Sequence, residues 1–276
     1  MDVQFDTYDN VDSAYYDMCK WLLAAPHVGN TREILNAKIQ INDVSNAIVS
    51  IRNISVEYLF GELLWYFRAS NRLAFISKFS SFWNHLSDDG RTCNSAYGYI
   101  IFEKYGFDQL RKVIDLLRKD PTSRRAVINI NVPNENVIET KDEPCTVSIQ
   151  FLLRDNKLNC TVYMRSNDIW FGFPYDVVFF TELQRVVAMN VEAELGTYTH
   201  LVGSLHMYDR DEEKIREIVN NPISNPISFN PTKFHVCTPK LIEAIRKIDG
   251  DPKQILLEKL REFDIIKEGN DGSKKM

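Results

Sequence analysis

The chain is poor in the features that mark most simple function classes. Its 276 residues hold five cysteines (Cys19, Cys93, Cys145, Cys160, Cys237). They are odd in number and lack paired metal-site spacing, which argues against a disulfide framework or a zinc module. A reduced, cytoplasmic protein with at least one thiol left for other work is the expectation. No apolar run approaches the ~20 residues of a membrane span. The opening "MDVQFDTYDN" has neither the basic region nor the apolar core of a signal peptide, so no membrane partner is expected. Positive charge is also scarce. Lys and Arg total 33 against 38 Asp and Glu, a net charge of −5, so no global field draws nucleic acid. A phosphate would have to be held by a few placed arginines. Walker, G-x-G-x-x-G and G-x-S-x-G loops are all missing, no metal is expected, and no internal repeat or linker interrupts the chain before its tail.

What is present is a globular composition, 44% hydrophobic. "VEYLFGELLWYFRAS" (56–70) is apolar on nearly every face and reads as a buried helix. "FDQLRKVIDLLRKD" (107–120) is an amphipathic helix followed by Pro121, and "RAVININ" (125–131) alternates like a strand. "CTVSIQFLL" and "KLNCTVYMR" flank "RDN" as a hairpin. "PYDVVFFTELQRVVAMNVEAEL" is a helix expected to start at Pro174 and stop before Gly196. "YTHLVGSLHMY" (198–208) is a strand and "DRDEEKIREIVNN" a polar helix, while the closing "GNDGSKKM" is expected to be a disordered tail. The sum is one α/β domain with a long mixed sheet and a central buried helix.

Several residues sit where chemistry is possible. Cys145 heads a strand, where a lone cysteine is ordinarily a small buried hydrophobe. A nucleophilic role requires a nearby positive charge, and Arg165 on the antiparallel neighbour strand could supply it. "DPTSRR" places Arg124 and Arg125 after a turn, either as a solvated strand edge or as a phosphate clamp. Arg32 and Ser166 would be further phosphate donors. Ser204, His206 and Tyr208 alternate on one strand face, as ordinary half-buried residues or as ligands of a sugar hydroxyl. Glu62 stands inside the apolar helix, either paired there or serving as a general acid or base with a raised pKa. Asp168 and Asp176 lie eight positions apart in the aromatic "MRSNDIWFGFPYDVVFF". The plain account of them is a helix cap at Asp176 and a turn pair of Asp168 with Arg165.

Taken in order, "GELLWYF", the Trp83 to "AYG" segment, "DPTSRR", "EPC…IQF", "MRSND…GFPYD" and "GSLHMY" resemble the thymidylate synthase family over roughly residues 30–210. The resemblance implies a single α/β domain, a twisted mixed β-sheet packed against helices, whose sheet forms the interface of a homodimer. That domain would span 1–267, with 268–276 as a polar tail. It implies a pyrimidine nucleoside monophosphate as substrate and 5,10-methylenetetrahydrofolate as one-carbon co-substrate. Cys145 then corresponds to the thiol that adds to ring carbon 6, and Glu62 to the acid that manages protons. Arg32, Arg165 and Ser166 correspond to own-chain phosphate ligands, Arg124 and Arg125 to arginines that reach across the dimer. His206 and Tyr208 match the sugar ligands. Trp83, Asp168 and Gly172 match folate contacts, and Tyr97 an active-site tyrosine.

Two departures from the synthase pattern bear on the substrate. Synthases carry an asparagine where this chain has Asp176. A carboxylate only accepts hydrogen bonds, which suits the amino group of cytosine and not the carbonyl of uracil. Aspartate at this position is similar to the deoxycytidylate hydroxymethylase branch. The synthases also end in a short apolar segment that shuts out water, whereas "IKEGNDGSKKM" is polar. Both point to a cytidylate 5-hydroxymethylase, dCMP favoured. The alternatives are CMP as substrate, methyl transfer to dUMP or dCMP with dihydrofolate as product, and a non-catalytic nucleotide-binding relative.

Overall fold

The computed structural model describes residues 5–132, 139–222 and 252–262. These fall into two compact units, one drawn from 5–53, 108–132 and 145–222, the other from 54–107, 139–144 and 252–262. The expectations for the tail, Cys237 and the polar C-terminal stretch lie outside the described residues.

The first unit is a twisted mixed sheet packed on helices. Strands β1 (Phe5–Tyr8), β2 (His27–Val28), β3 (Thr31–Ile41), β4 (Val127–Asn129), β5 (Thr146–Arg154), β6 (Lys157–Asp168) and β7 (Glu194–Tyr208) form it. Their order is β1-β3-β7-β6-β5-β4, with β2 on β3. β1–β3 and β6–β7 are parallel, and the other pairs are antiparallel. The expected hairpin is there. Asp155 and Asn156 turn it with φ of 49° and 59°, the two left-handed residues that a tight two-residue turn needs. Helix α1 (Val11–Ala24) opens on Asn10, whose side chain accepts from Ser13 N–H. The strand expected over 125–131 shortens to three residues where the ladder becomes irregular, with Ile130 and Asn131 N–H both donating to the Val147 carbonyl, and the Gln109 amide bonds both backbone groups of Asn129 on the outer edge.

The sheet changes its buried side part-way along. On β6 the buried residues run Leu158, Cys160, Val162, Met164 and then shift to Asn167. On β7 they run Tyr198, His200, Val202 and then Leu205 and Met207. Beside this level Asn36 of β3 takes φ 56°, and a Cβ on Gly203 would lie 2.9 Å from the Arg165 carbonyl. A kink shared by neighbouring strands explains all three observations. It matters because consecutive residues then share a side, as Arg165 and Ser166 do.

The second unit is helical in its described part: α2 (Val56–Phe67), α3 (Leu73–Ile76), α4 (Trp83–Leu86) and α5 (Tyr97–Phe102). Ser55 caps α2 by accepting from Tyr58 N–H, and the helix is buried from Leu59 to Phe67. A Cβ at Gly98 would strike the Tyr66 carbonyl, so glycine there lets α5 approach the backbone of α2. In the first unit, α6 (Gln109–Lys119) starts on the Asp108 cap, and α7 (Phe173–Asn190) packs on β6 and β7. The α7 boundary corrects the expectation of a helix running to Gly196. It ends at Asn190, Glu192 turns left-handed at φ 57°, and β7 begins at Glu194. A 3-10 turn (Asp209–Asp211) and helices α8 (Glu212–Asn220) and α9 (Pro252–Glu262) complete the described elements. Among the described residues no helix is long and apolar enough to cross a membrane.

Candidate active site

Cys145 is half-buried one residue ahead of β5, and its carbonyl accepts from Arg165 N–H at 2.8 Å. The hairpin thereby brings Arg165 Nη2 to 3.8 Å from the Cys145 sulfur. A guanidinium so close favours negative charge on sulfur, the form in which a thiol attacks. Two buried cysteines differ. Burial pushes the Cys19 thiol up to about 12 and raises that of Cys160 further, so both stay protonated.

Ser166 pairs with Ser204, and Asp168 with His206, across β6 and β7. Ser166 Oγ lies 3.5 Å from His206 Nδ1, and the His206 and Tyr208 rings meet edge-on at 5.4 Å. Ser204 donates to Glu33 at 2.5 Å. Ser204, His206 and Tyr208 alternate on the half-open side, as the strand pattern implies. Arg32 is placed otherwise. Its register partner is buried Met207, and its guanidinium bonds Glu212 at 3.2 Å and the Ala25 carbonyl at 2.9 Å. That bond is the main cause holding the Glu212 carboxyl below its ordinary value. Glu212 also accepts from Arg216 at 2.6 Å. Arg124 and Arg125 are both exposed on the turn before β4, Arg125 within 4.0 Å of Asp120.

The plain account of the two aspartates does not hold. Asp168 Oδ1 accepts from Trp170 N–H at 2.8 Å, and burial raises its carboxyl above the ordinary value. The N-cap of α7 is Gly172, with no side-chain cap, and Asp176 lies in the first turn beyond it. Asp176 Oδ2 instead accepts from Asn167 Nδ2 at 2.8 Å. Asn167, and His200 and Tyr198 behind it, were not singled out by sequence. Polar residues in a strand alternation look like its solvent side.

In the second unit Glu62 is 7% exposed on α2. Its Oε1 accepts from Tyr58 O–H at 2.6 Å and from Tyr66 O–H at 3.4 Å. Trp83 Nε1–H donates to the Tyr58 oxygen at 3.1 Å, and Tyr97 stacks on Tyr66 with centroids 5.3 Å apart. Both tyrosine bonds favour the carboxylate, yet burial outweighs them and lifts the Glu62 carboxyl to about 7. A carboxyl poised there can give or take a proton at neutral pH. Tyr58 and Tyr66 were missed although the signal was present. They stand four residues either side of Glu62, on its helix face.

The first unit thus holds a thiol beside a guanidinium and a strand face of Ser, His and Tyr, and the second unit holds a buried acid with a raised pKa, groups able to do nucleophilic and acid–base chemistry. The family model described as thymidylate synthase matches residues 26–243. The chain belongs to the thymidylate synthase family. As a member of that family it is a one-carbon transferase acting on a pyrimidine nucleotide, with methylenetetrahydrofolate as co-substrate. The mixed α/β architecture with its twisted sheet against helices is that of the thymidylate synthase fold.

Proposed function

We propose that this family member is a cytidylate 5-hydroxymethylase, forming 5-hydroxymethyl-dCMP and tetrahydrofolate from dCMP, methylenetetrahydrofolate and water. The observation that carries the reading is Asp176. It is a carboxylate at the start of α7 that does not cap its helix and is held by an amide from the sheet. Facing cytosine, it accepts from the exocyclic amino group and, once the thiol has added to the ring, from the ring nitrogen that then carries a proton. Facing uracil, it would set oxygen against oxygen in a partly desolvated site.

The remaining roles follow from the chemistry of each group. Cys145 attacks ring carbon 6 as thiolate, with Arg165 balancing its charge. Arg165 and Ser166 hold the phosphate, and Arg32 joins them by exchanging the Glu212 carboxylate for phosphate oxygens. His206 and Tyr208 take the sugar hydroxyl. Glu62 moves protons to and from the base, with Tyr97 beside it. The folate, when bound, supplies a one-carbon unit at the oxidation level of formaldehyde. Asp168, a half-buried acceptor, suits the N–H groups of its pterin, and Trp83 and Gly172 complete that contact. Water then adds to the one-carbon unit.

The reading places catalysis in residues 1–267, in the cytoplasm, and in a homodimer built through the sheet. Exposed Tyr163 on β6 and Leu35 on β3, 43% and 49% accessible, support that interface. Exposed Arg124 and Arg125 would serve the neighbouring subunit's phosphate. The test is mass spectrometry of products from dCMP, CMP and dUMP, each with methylenetetrahydrofolate, together with near-ultraviolet absorbance. Hydroxymethylated dCMP without the absorbance change of dihydrofolate is expected. A methylated nucleotide with dihydrofolate would replace the reading by methyl transfer, and no product at all would leave a binding protein.

A further inference from the structure

Behind Asp176 a line of polar side chains runs into the core of the first unit. The Tyr198 hydroxyl lies 2.8 Å from His200 Nδ1, and His200 Nε2 lies 3.1 Å from Asn167 Oδ1. Asn167 Nδ2 reaches Asp176 Oδ2 at 2.8 Å. Tyr198 and His200 are fully buried and Asn167 is 2% exposed. Phe173 meets the imidazole edge-on at 5.2 Å.

The line has one consistent direction. Burial pushes the His200 imidazole down to about 3 and raises the Tyr198 phenol, so the ring carries a single proton and the hydroxyl keeps its own. If Tyr198 donates to Nδ1, the ring proton sits on Nε2 and is given to Asn167 Oδ1. The amide must then present its NH2 to Asp176. Every link is donor to acceptor, and the last acceptor is a carboxylate. In the other tautomer Nε2 has no proton, the amide turns over, and its oxygen faces the carboxylate, a pairing a buried site does not tolerate. Gly172 keeps the route open. A Cβ there would lie 2.7 Å from Asn167 Nδ2 and 2.8 Å from the Asp168 carbonyl.

We propose that Tyr198, His200 and Asn167 are positioning residues that fix which hydrogen-bonding character position 176 shows to the pyrimidine base. The proposal rests on the reading of Asp176 as the base-recognising residue. With aspartate at 176, the Asn167 N–H holds one carboxylate oxygen and keeps the group aimed as an acceptor. With asparagine there, the same N–H would take the amide oxygen and turn its NH2 to the base, the pattern that suits uracil. The relay makes one substitution a clean change of specificity.

The test compares kcat/KM for dCMP and dUMP in Tyr198→Phe, His200→Leu and His200→Gln, and in Asp176→Asn with and without Tyr198→Phe. Circular dichroism and thermal melts establish folding. Tyr198→Phe and His200→Leu should each lower the dCMP to dUMP ratio about tenfold, because the lost link frees the Asn167 amide that orients the Asp176 carboxylate. His200→Gln retains a donor and an acceptor and should stay within about threefold of the parent. In the Asp176→Asn background, Tyr198→Phe should erode the gained preference for dUMP. Should His200→Leu fail to fold, Tyr198→Phe, which loses only a hydroxyl, decides. If Asp176→Asn leaves the cytosine preference unchanged, the base-reading role falls and the relay with it. If Asp176→Asn shifts preference but folded Tyr198→Phe keeps the parental ratio, or slows both nucleotides equally, the relay alone is overturned.

Discussion

Replacing Glu62 by glutamine tests the buried acid by stability and by catalysis at once. The side chain is buried on α2, and its carboxyl stands at about 7 in the folded chain against an ordinary 4.5. Between those two pH values the folded state holds a proton that the unfolded state releases. Stability therefore falls as pH rises through this window. The contribution of Glu62 is fully present below about 4.5 and gone above about 7. At about 1.4 kcal/mol per pH unit, the gap between 4.5 and 7 corresponds to about 3 kcal/mol. Glutamine has the same shape, keeps an acceptor for the Tyr58 O–H, and does not titrate.

The expected outcome is that Glu62→Gln gains about 3 kcal/mol on the parent as pH is raised from 4 to 8, because only the parent must ionise a buried group. Urea unfolding across that range, followed by the fluorescence of Trp65 and Trp83, measures the difference. Other titrating groups are common to both proteins and cancel. The same variant should lose about 100-fold or more in kcat, having no proton to exchange. A stability difference that stays flat from pH 4 to 8 would show that Glu62 ionises normally. The argument for its acid–base role would then fail with it.

Cys145→Ala should abolish turnover and tritium release from ring carbon 5 while nucleotide affinity stays within about tenfold, since the remaining contacts persist; release by the alanine variant would remove the thiol from the chemistry. A variant lacking Arg124 and Arg125 and the Cys145→Ala variant should each be inactive and regain part of the activity when mixed, through heterodimers with one complete site. No recovery despite verified subunit exchange would place the arginines elsewhere. Asp176→Asn should lower kcat/KM for dCMP about 100-fold, on the order of 3 kcal/mol, and raise dUMP turnover; unchanged preference would end the substrate assignment. Gly98→Ala should destabilise by at least about 2 kcal/mol, because the Tyr66 carbonyl it meets is backbone and cannot turn aside; a thermal midpoint unmoved by the change would disprove the tight approach.

Much of the local architecture was legible because local rules set it. "RDN" between alternating runs forces a tight hairpin, and that hairpin carries Arg165 back to Cys145. The all-apolar face of 56–70 announces burial, and an acid within it announces a shifted pKa. The end of α7 was not legible. "NVEAEL" has good helix formers and no glycine, and the chain leaves the helix through Glu192 in a left-handed conformation. There the long pairing of β7 with β3 and β6 outweighs local propensity.

The deeper limit lies in the kink of the central strands. Strict alternation would put Arg165 and Ser166 on opposite sides of β6 and keep buried Met164 out of phase with Asn167. The change of buried side after Met164 and after Val202 makes Arg165 and Ser166 neighbours toward solvent and turns Asn167 inward, on the side of His200. Sequence alone could name the phosphate-binding candidates from their types but could not explain how two adjacent residues come to share one side of a strand. It also could not foresee an inward amide at Asn167, because the pattern that reveals it is tertiary. One backbone irregularity thus does two things: it brings Arg165 and Ser166 together outside and delivers a hydrogen-bond donor to Asp176 inside. On the proposed reading, the geometry that binds the nucleotide and the geometry that selects its base share a single structural cause.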